Sequence, residues 1–322
     1  ASRSRGSSGS ASRVHPVDGM RREWRPDWPV PIGGVWAHWR RGASDPTYRV
    51  DEAGRHWRAL GSPAGAATLR VLARPALGVI EADAWGPGAS WALDRLPDML
   101  GANDDPSGMP LLHEAVRRAA HAHPHWRVGR GGVVWDVLVG AIIEQKVTGQ
   151  EASAGLLRLV RRYGSPAPGP GEALGLRVLP DAASVRAVPS WEWLKMGIDG
   201  ARSSTLVRSA RVADALQRVV DLPGPEAERR LRSVVGIGIW TAAEVRSRAL
   251  GDADAVSFGD YHVARNIGWA LTGADVDDAG MAELLAPYAG HRYRVQRLLE
   301  LSGSGHPRHG PRMAPRTHLR SL

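Results

Sequence analysis

The residues of this sequence best spaced to do chemistry together lie between 226 and 271. Val235-Gly236-Ile237-Gly238-Ile239-Trp240 carries two glycines one residue apart, with an amphipathic run before it (Ala227, Leu231, Val234, Val235) and Thr241-Ala242-Ala243 after it. Glycines so spaced permit a tight turn between two helices and a close approach of backbone to another molecule. The turn amides and the N-terminus of the second helix would then face one way, an arrangement suited to a phosphate. A plain helical-hairpin turn carries the same glycines. Twenty residues after Trp240 comes Asp260, in Val256-Ser257-Phe258-Gly259-Asp260-Tyr261-His262-Val263, where apolar residues lead out of a loop and a new helix begins. Aspartate is a preferred helix N-cap, so position alone gives Asp260 a structural role. Hairpin and acid together form a single pattern, more telling than either alone.

Composition narrows the chemistry available to such a pair. The 322 residues suffice for two or three domains and a sizeable core. The net charge of +9 and a pI near 10.7 fit a nucleic-acid binder, although a basic protein with basic tails gives the same numbers. No cysteine occurs, which excludes disulfides, cysteine-ligated zinc, iron–sulfur clusters and a cysteine nucleophile. Lys146 and Lys195 are the only lysines, so side-chain Schiff-base chemistry has two candidates. No apolar run is long enough to span a membrane, and the first residues lack the apolar core of a secretory signal; the expected location is the cytoplasm, with the nucleoid as its site in a bacterium. His121-Ala122-His123-Pro124-His125 lacks the acid or cysteine that would complete a metal site, and Gly129–Gly132 lacks the Gly-Lys-Ser/Thr of a nucleotide loop.

The elements that must position these residues follow from patterning. Residues 1–20 are rich in Ser, Arg and Gly with few apolar residues and are expected to be a disordered arm. Residues 21–105 form the first predicted domain. Arg21–Trp39 has no clear period, whereas Tyr48–Val50, His56–Leu60, Thr68–Ala73 and Gly78–Ala82 are strand-like runs separated by turn residues, followed by a helix over Ala89–Leu100. Residues 106–302 are helical, with the hairpin at 226–250. Val133–Thr148 is apolar nearly all round, as a helix inside a core would be, and ends in the polar Glu144-Gln145-Lys146. Ser165–Pro180 is rich in proline and reads as a surface loop or linker. Residues 303–322 are expected to be a flexible basic tail. The fold class is therefore α+β, mostly helical, with a small N-terminal antiparallel sheet.

The string Leu-x-x-Val-x-Gly-Ile-Gly-x-Trp-Thr-Ala followed by Asp260 resembles the helix-hairpin-helix, Gly-Pro-Asp superfamily of DNA glycosylases, and within it the DNA-3-methyladenine glycosylase II branch. The likeness covers Trp126–Leu301 and, more loosely, the N-terminal sheet, which in that branch is a small TBP-like domain. The resemblance implies a two-lobed helical core, double-stranded DNA with damaged bases as partner, a monomer, and Asp260 as catalytic acid. It implies that the amides of Val235, Gly236, Ile237 and Gly238 hold a DNA phosphate, and that the carbonyls of Arg232, Val235 and Ile237 surround a monovalent cation. No other cofactor is implied. Lyase-type members carry a lysine where this chain has Trp240, which implies a monofunctional hydrolase. Trp240, Glu244, Tyr261 and His262 become candidates for the base pocket; His291, Arg292 and Tyr293 are further pocket or backbone-contact candidates. Gln145, Lys146 and Val147 become candidates for the wedge that fills the gap left by an extruded base. Trp240 as a packing residue and Glu244 on a solvated helix face stand as the structural alternatives. The chain departs from the family pattern at Phe258-Gly259-Asp260, where no proline precedes the acid.

The reaction so implied is hydrolysis of the N-glycosidic bond of an alkylated purine of the 3-methyladenine type, in base excision repair. A carboxylate near the anomeric carbon would stabilise the positive charge that grows on the sugar, and a ring-alkylated purine leaves readily without a second carboxyl group. A non-catalytic hairpin module that only binds DNA, and a glycosylase for deaminated or oxidised bases, are the competing readings.

Overall fold

The computed structural model describes residues 19–307. The arm expected over 1–20 therefore lies outside the described residues except for Gly19 and Met20, as does the tail beyond 307. Five antiparallel strands form the N-terminal sheet: β1 (Met20–Trp24), β2 (Tyr48–Val50), β3 (His56–Ser62), β4 (Gly65–Arg74) and β5 (Val79–Trp85), in the order β1-β5-β4-β3-β2. Four of them coincide with the strand-like runs of the sequence. The fifth, β1, falls where no period was legible. It is an edge strand of sequence Met-Arg-Arg-Glu-Trp, mostly exposed, and its register is set by pairing with β5 from Met20 opposite Ala84 to Trp24 opposite Ile80. One helix, α1 (Ala89–Met99), packs its Leu93 and Leu96 into the same core.

The remaining principal helices are α2 (Glu114–Ala122), α3 (Val134–Glu144), α4 (Gly149–Tyr163), α5 (Gly200–Arg211), α6 (Gly224–Arg232), α7 (Ile239–Val245), α8 (Val263–Thr272), α9 (Asp278–Leu285) and α10 (Arg292–Leu301). Thr148 caps α4 with a capping box to Glu151, whose carboxylate accepts from the Thr148 amide at 3.0 Å. The central helix, α3, buries Val134, Leu138, Val139, Ile142 and Ile143 completely, as its all-round apolar character demands.

The buried side chains group otherwise than the linear segments suggest. One core joins the sheet and α1 to α2, α8, α9 and α10, and so contains both early residues (Trp36, Leu69) and late ones (Ile267, Val295, Leu299). The second core holds α3 through α7. A buried ion pair fastens the late helices to the early segment: Arg294 donates to both carboxylate oxygens of Asp104 at 2.7 and 2.6 Å. The proline-rich Ser165–Pro180 is a packed cap on the sheet. Its short strands β6 (Ser165–Pro166) and β7 (Arg177–Val178) pair, and Ala167, Leu176 and Val178 cover the stacked indoles of Trp57 and Trp85. The linker reading fails because composition marks turns, while burial is decided by the two tryptophans opposite.

Sheet and central helix meet at Asp136 of α3, whose Oδ2 accepts from the Gly61 amide at 3.1 Å. Loss of water around this carboxyl pushes its pKa from 3.8 up to about 6. The folded protein thus holds the proton more tightly than the unfolded chain. The stability this lends is present at low pH and is lost as pH rises from 3.8 through about 6. Asp136→Asn is therefore expected to match the wild type in urea unfolding near pH 4 and to exceed it by about 1–3 kcal/mol at pH 7.5. An equal difference at both pH values would contradict this.

Candidate active site

The hairpin forms as its glycines dictate. α6 ends at Arg232, with Ala227 and Leu231 buried beneath it, and the turn to α7 runs through Ser233–Gly238. Gly236 has φ +100°, and a Cβ there would sit 2.1 Å from Thr205 Oγ1, so neither conformation nor space admits a side chain. Gly238 is extended, and a Cβ there would meet nothing within 4 Å. Ile237 between them is a buried plug, while Val235 is 71% exposed. The first amides of α7 have no acceptor within their own helix and stand beside the open face at Gly238. Arg246 locks the two hairpin helices together, donating to Glu228 Oε2 at 2.6 Å and to Asp252 Oδ2 at 2.7 Å.

Gln145, at the end of α3, is bound to this turn. Its Nε2 donates to the Gly236 carbonyl at 3.0 Å and to Thr241 Oγ1 at 2.8 Å. Among the three wedge candidates, Gln145 is thus engaged by the hairpin, while Lys146 is exposed and Val147 is half-buried against the second core. Lys146 has φ +55°, the one non-glycine in the left-handed region among the described residues. Such a conformation costs a bulky residue on the order of 1–3 kcal/mol.

The acid lies against the hairpin. Trp240 Nε1 donates to Asp260 Oδ2 at 3.1 Å, spanning the two cores, and Asp260 Oδ1 accepts from the amides of His262 at 2.8 Å and Val263 at 3.2 Å. The two oxygens of Asp260 have different partners. One oxygen ties down the start of α8; the other faces the hairpin helix. The turn that delivers it is closed by a bond from the Asp260 amide to the Ser257 carbonyl at 3.2 Å, with Gly259 at φ +80°. Proline cannot adopt that angle, so this loop is a glycine turn. Gly259 is further held by Asp278, whose Oδ2 accepts from its amide at 2.8 Å.

Other sequence candidates take different places. Glu244 is 6% exposed, and its carboxylate is turned to Arg248 and to Ser257 Oγ (3.1 Å), so it is neither a pocket group beside Trp240 nor a solvated helix face. Tyr261 is 81% exposed and His262 is exposed beside it, their rings edge to face at 4.8 Å. They border the acid on its outer side. Tyr293 is a core residue, Arg292 is paired with Asp254 through a 2.8 Å bond, and His291 Nδ1 accepts from Arg294 at 3.2 Å, so this trio supports the fold. Of the carbonyls of Arg232, Val235 and Ile237, that of Val235 accepts from Arg208 Nε at 2.9 Å. Sequence reasoning missed Arg208, Ser257 and Gln296 as neighbours of the site, because nothing local marks a residue whose partner is dozens of positions away.

No family model and no curated protein matches this chain. Solved structures do. A 3-methyladenine DNA-glycosylase from Archaeoglobus fulgidus superposes with a TM-score of 0.69 at 19% identity, covering 88% of this chain and 98% of that one. MBOgg1, solved with a low-affinity DNA ligand, gives 0.69 at 14% identity over 88% and 94% of the two chains. An 8-oxoguanine glycosylase/lyase from Clostridium acetobutylicum gives 0.65 at 10% identity over 84% and 92%. The sheet, the helical cores and the hairpin are thus arranged as in these enzymes, and the chain has the fold of the helix-hairpin-helix DNA glycosylases.

Proposed function

We propose that this protein is a monofunctional DNA glycosylase that hydrolyses the N-glycosidic bond of alkylated purines, acting as a monomer on double-stranded DNA. The observation that carries the reading is the carboxylate of Asp260 held at 3.1 Å from the hairpin's Trp240, beside a glycine turn with an open face. The Gly236 and Gly238 amides would take a phosphate next to the target nucleotide, whereas the Ile237 amide already donates to the Val234 carbonyl at 3.0 Å. That grip fixes the strand while the damaged nucleotide swings out of the stack, which costs a few kcal/mol and least for damaged or mispaired bases. Lys146, displayed by a strained turn between α3 and α4, is the residue we assign to the gap left behind.

Asp260 then faces the sugar. As the base departs, positive charge spreads over the ring oxygen and anomeric carbon, and a fixed carboxylate stabilises it without reorganising. The same group can take a proton from the attacking water. With tryptophan in place of lysine at 240, the hairpin offers no amine to attack the sugar, so water is the nucleophile and the strand stays intact. The ring of Trp240 suits a cationic methylated purine through stacking and cation–π attraction, which favours alkylated over neutral bases.

Two measurements test this. Mass spectrometry of free bases released from methylated, deaminated and oxidised duplexes is expected to find methylated purines, and Asp260→Asn is expected to lower that release at least a hundredfold with DNA affinity within about threefold. Release of deaminated or oxidised bases alone would overturn the substrate class, and an active Asp260→Asn would overturn the assigned acid. In the hairpin, Gly238→Val is expected to leave the thermal midpoint nearly unchanged yet weaken duplex binding about tenfold, one phosphate contact being lost. Gly236→Val should instead destabilise the fold by several kcal/mol through its clash with Thr205. Unaltered affinity in Gly238→Val would remove the phosphate from that face.

A further inference from the structure

Three residues before the acid stands Ser257, a buried serine whose polar groups are all engaged, its hydroxyl across the boundary between the two cores. Its side chain is 3% exposed. Its Oγ donates to Glu244 Oε1 at 3.1 Å, and Glu244 belongs to α7, one turn beyond Trp240. Its amide donates to Gln296 Oε1 of α10 at 3.3 Å, and its carbonyl accepts from the Asp260 amide at 3.2 Å. Glu244 is in turn paired with Arg248, whose Nε donates to the His38 carbonyl at 2.7 Å. Ser257 is thus the first residue of the Asp260 turn, and it is clamped from the hairpin side by Glu244 and from the opposite core by Gln296.

We infer that Ser257 is a positioning residue: through its hydroxyl bond to Glu244 it sets the separation between the hairpin helix and the Asp260 carboxylate. The physical reason lies in the length of the lever. Trp240 Nε1 and Asp260 Oδ2 are joined by a single half-buried bond, which water can replace. A second bond, fully buried and one helical turn along α7, fixes the distance that the first bond needs. A shift of about 1 Å at a reacting group is enough to cost about a hundredfold in rate. The inference rests on the proposed reaction only for its effect on rate; the geometry itself is testable without substrate.

The two variants that dissect it are Ser257→Ala, which removes the hydroxyl with its bond to Glu244 and its longer one from Gln296 Nε2 at 3.5 Å and leaves the Glu244–Arg248 pair, and Glu244→Gln, which keeps an oxygen to accept from Ser257 and removes the counter-charge from Arg248. The readout is solvent exchange of the Trp240 indole N–H, assigned by comparison with Trp240→Phe, together with the thermal midpoint. Ser257→Ala is expected to speed indole exchange about tenfold with a small change in midpoint, and Glu244→Gln to lower the midpoint more while leaving exchange within about threefold of wild type. A purely structural role requires the opposite order, with exchange following stability. Unaltered exchange in Ser257→Ala, or exchange that tracks the midpoint across both variants, overturns the inference. Single-turnover release of methylated purines is expected to fall about tenfold in Ser257→Ala at unchanged duplex affinity. A wild-type protein that releases no base would defeat the proposed reaction while leaving the indole result to decide the positioning role.

Discussion

The bond between the Trp240 indole and the Asp260 carboxylate is the point on which the molecule turns. It joins a helix of one core to a loop of the other, and it does so at the place where the proposed chemistry happens. A carboxylate is useful to an oxocarbenium-like transition state only if it is already where the charge will appear, since the cost of orienting it would otherwise be met during the reaction. Asp260 is held from two sides, by the His262 and Val263 amides at one oxygen and by the indole at the other, so its orientation is set by the fold itself.

The scaffold explains how that hold is maintained. The loop carrying Asp260 belongs to the core that contains the N-terminal sheet, and the hairpin belongs to the core built on α3. Contacts between the two are largely polar: Arg248 to the His38 carbonyl, Glu244 to Ser257, Asp136 to the Gly61 amide, and Arg41 to Glu144. Directional bonds fix relative position more tightly than apolar contact, which is indifferent to small slides. Glu144 and Gln145, adjacent at the end of α3, show the principle: one side chain reaches Arg41 near the sheet, the next reaches the hairpin turn.

The surface that would meet DNA is built with the opposite economy. Val235, Lys146 and Tyr261 are exposed, and Gly238 has open space around it. Arg208 braces the Val235 carbonyl from the flank. Such a face carries little of the folding energy, so its residues are free to serve a partner.

Sequence alone determined the parts with local causes. The glycine at 236 made a turn because only glycine tolerates φ +100° there, while Gly238 leaves open space beside the hairpin. The unbroken apolar character of α3 made it central, the strand-like runs gave four of the five strands, and an aspartate shortly before a helix marked the carboxylate that ties down the His262 and Val263 amides. The tertiary structure decided what depends on partners distant in the chain. β1 has no legible period because an edge strand draws its register from β5. Glu244 looked like a pocket or surface residue because its partners, Ser257 and Arg248, are identified only by how the two cores meet. Arg208 at the Val235 carbonyl, Gln145 at the hairpin and the burial of Tyr293 belong to the same class. Turn and helix preferences are set within a few residues, whereas the pairing of buried polar groups is set by which surfaces come together, and one strand of letters does not specify that by proximity.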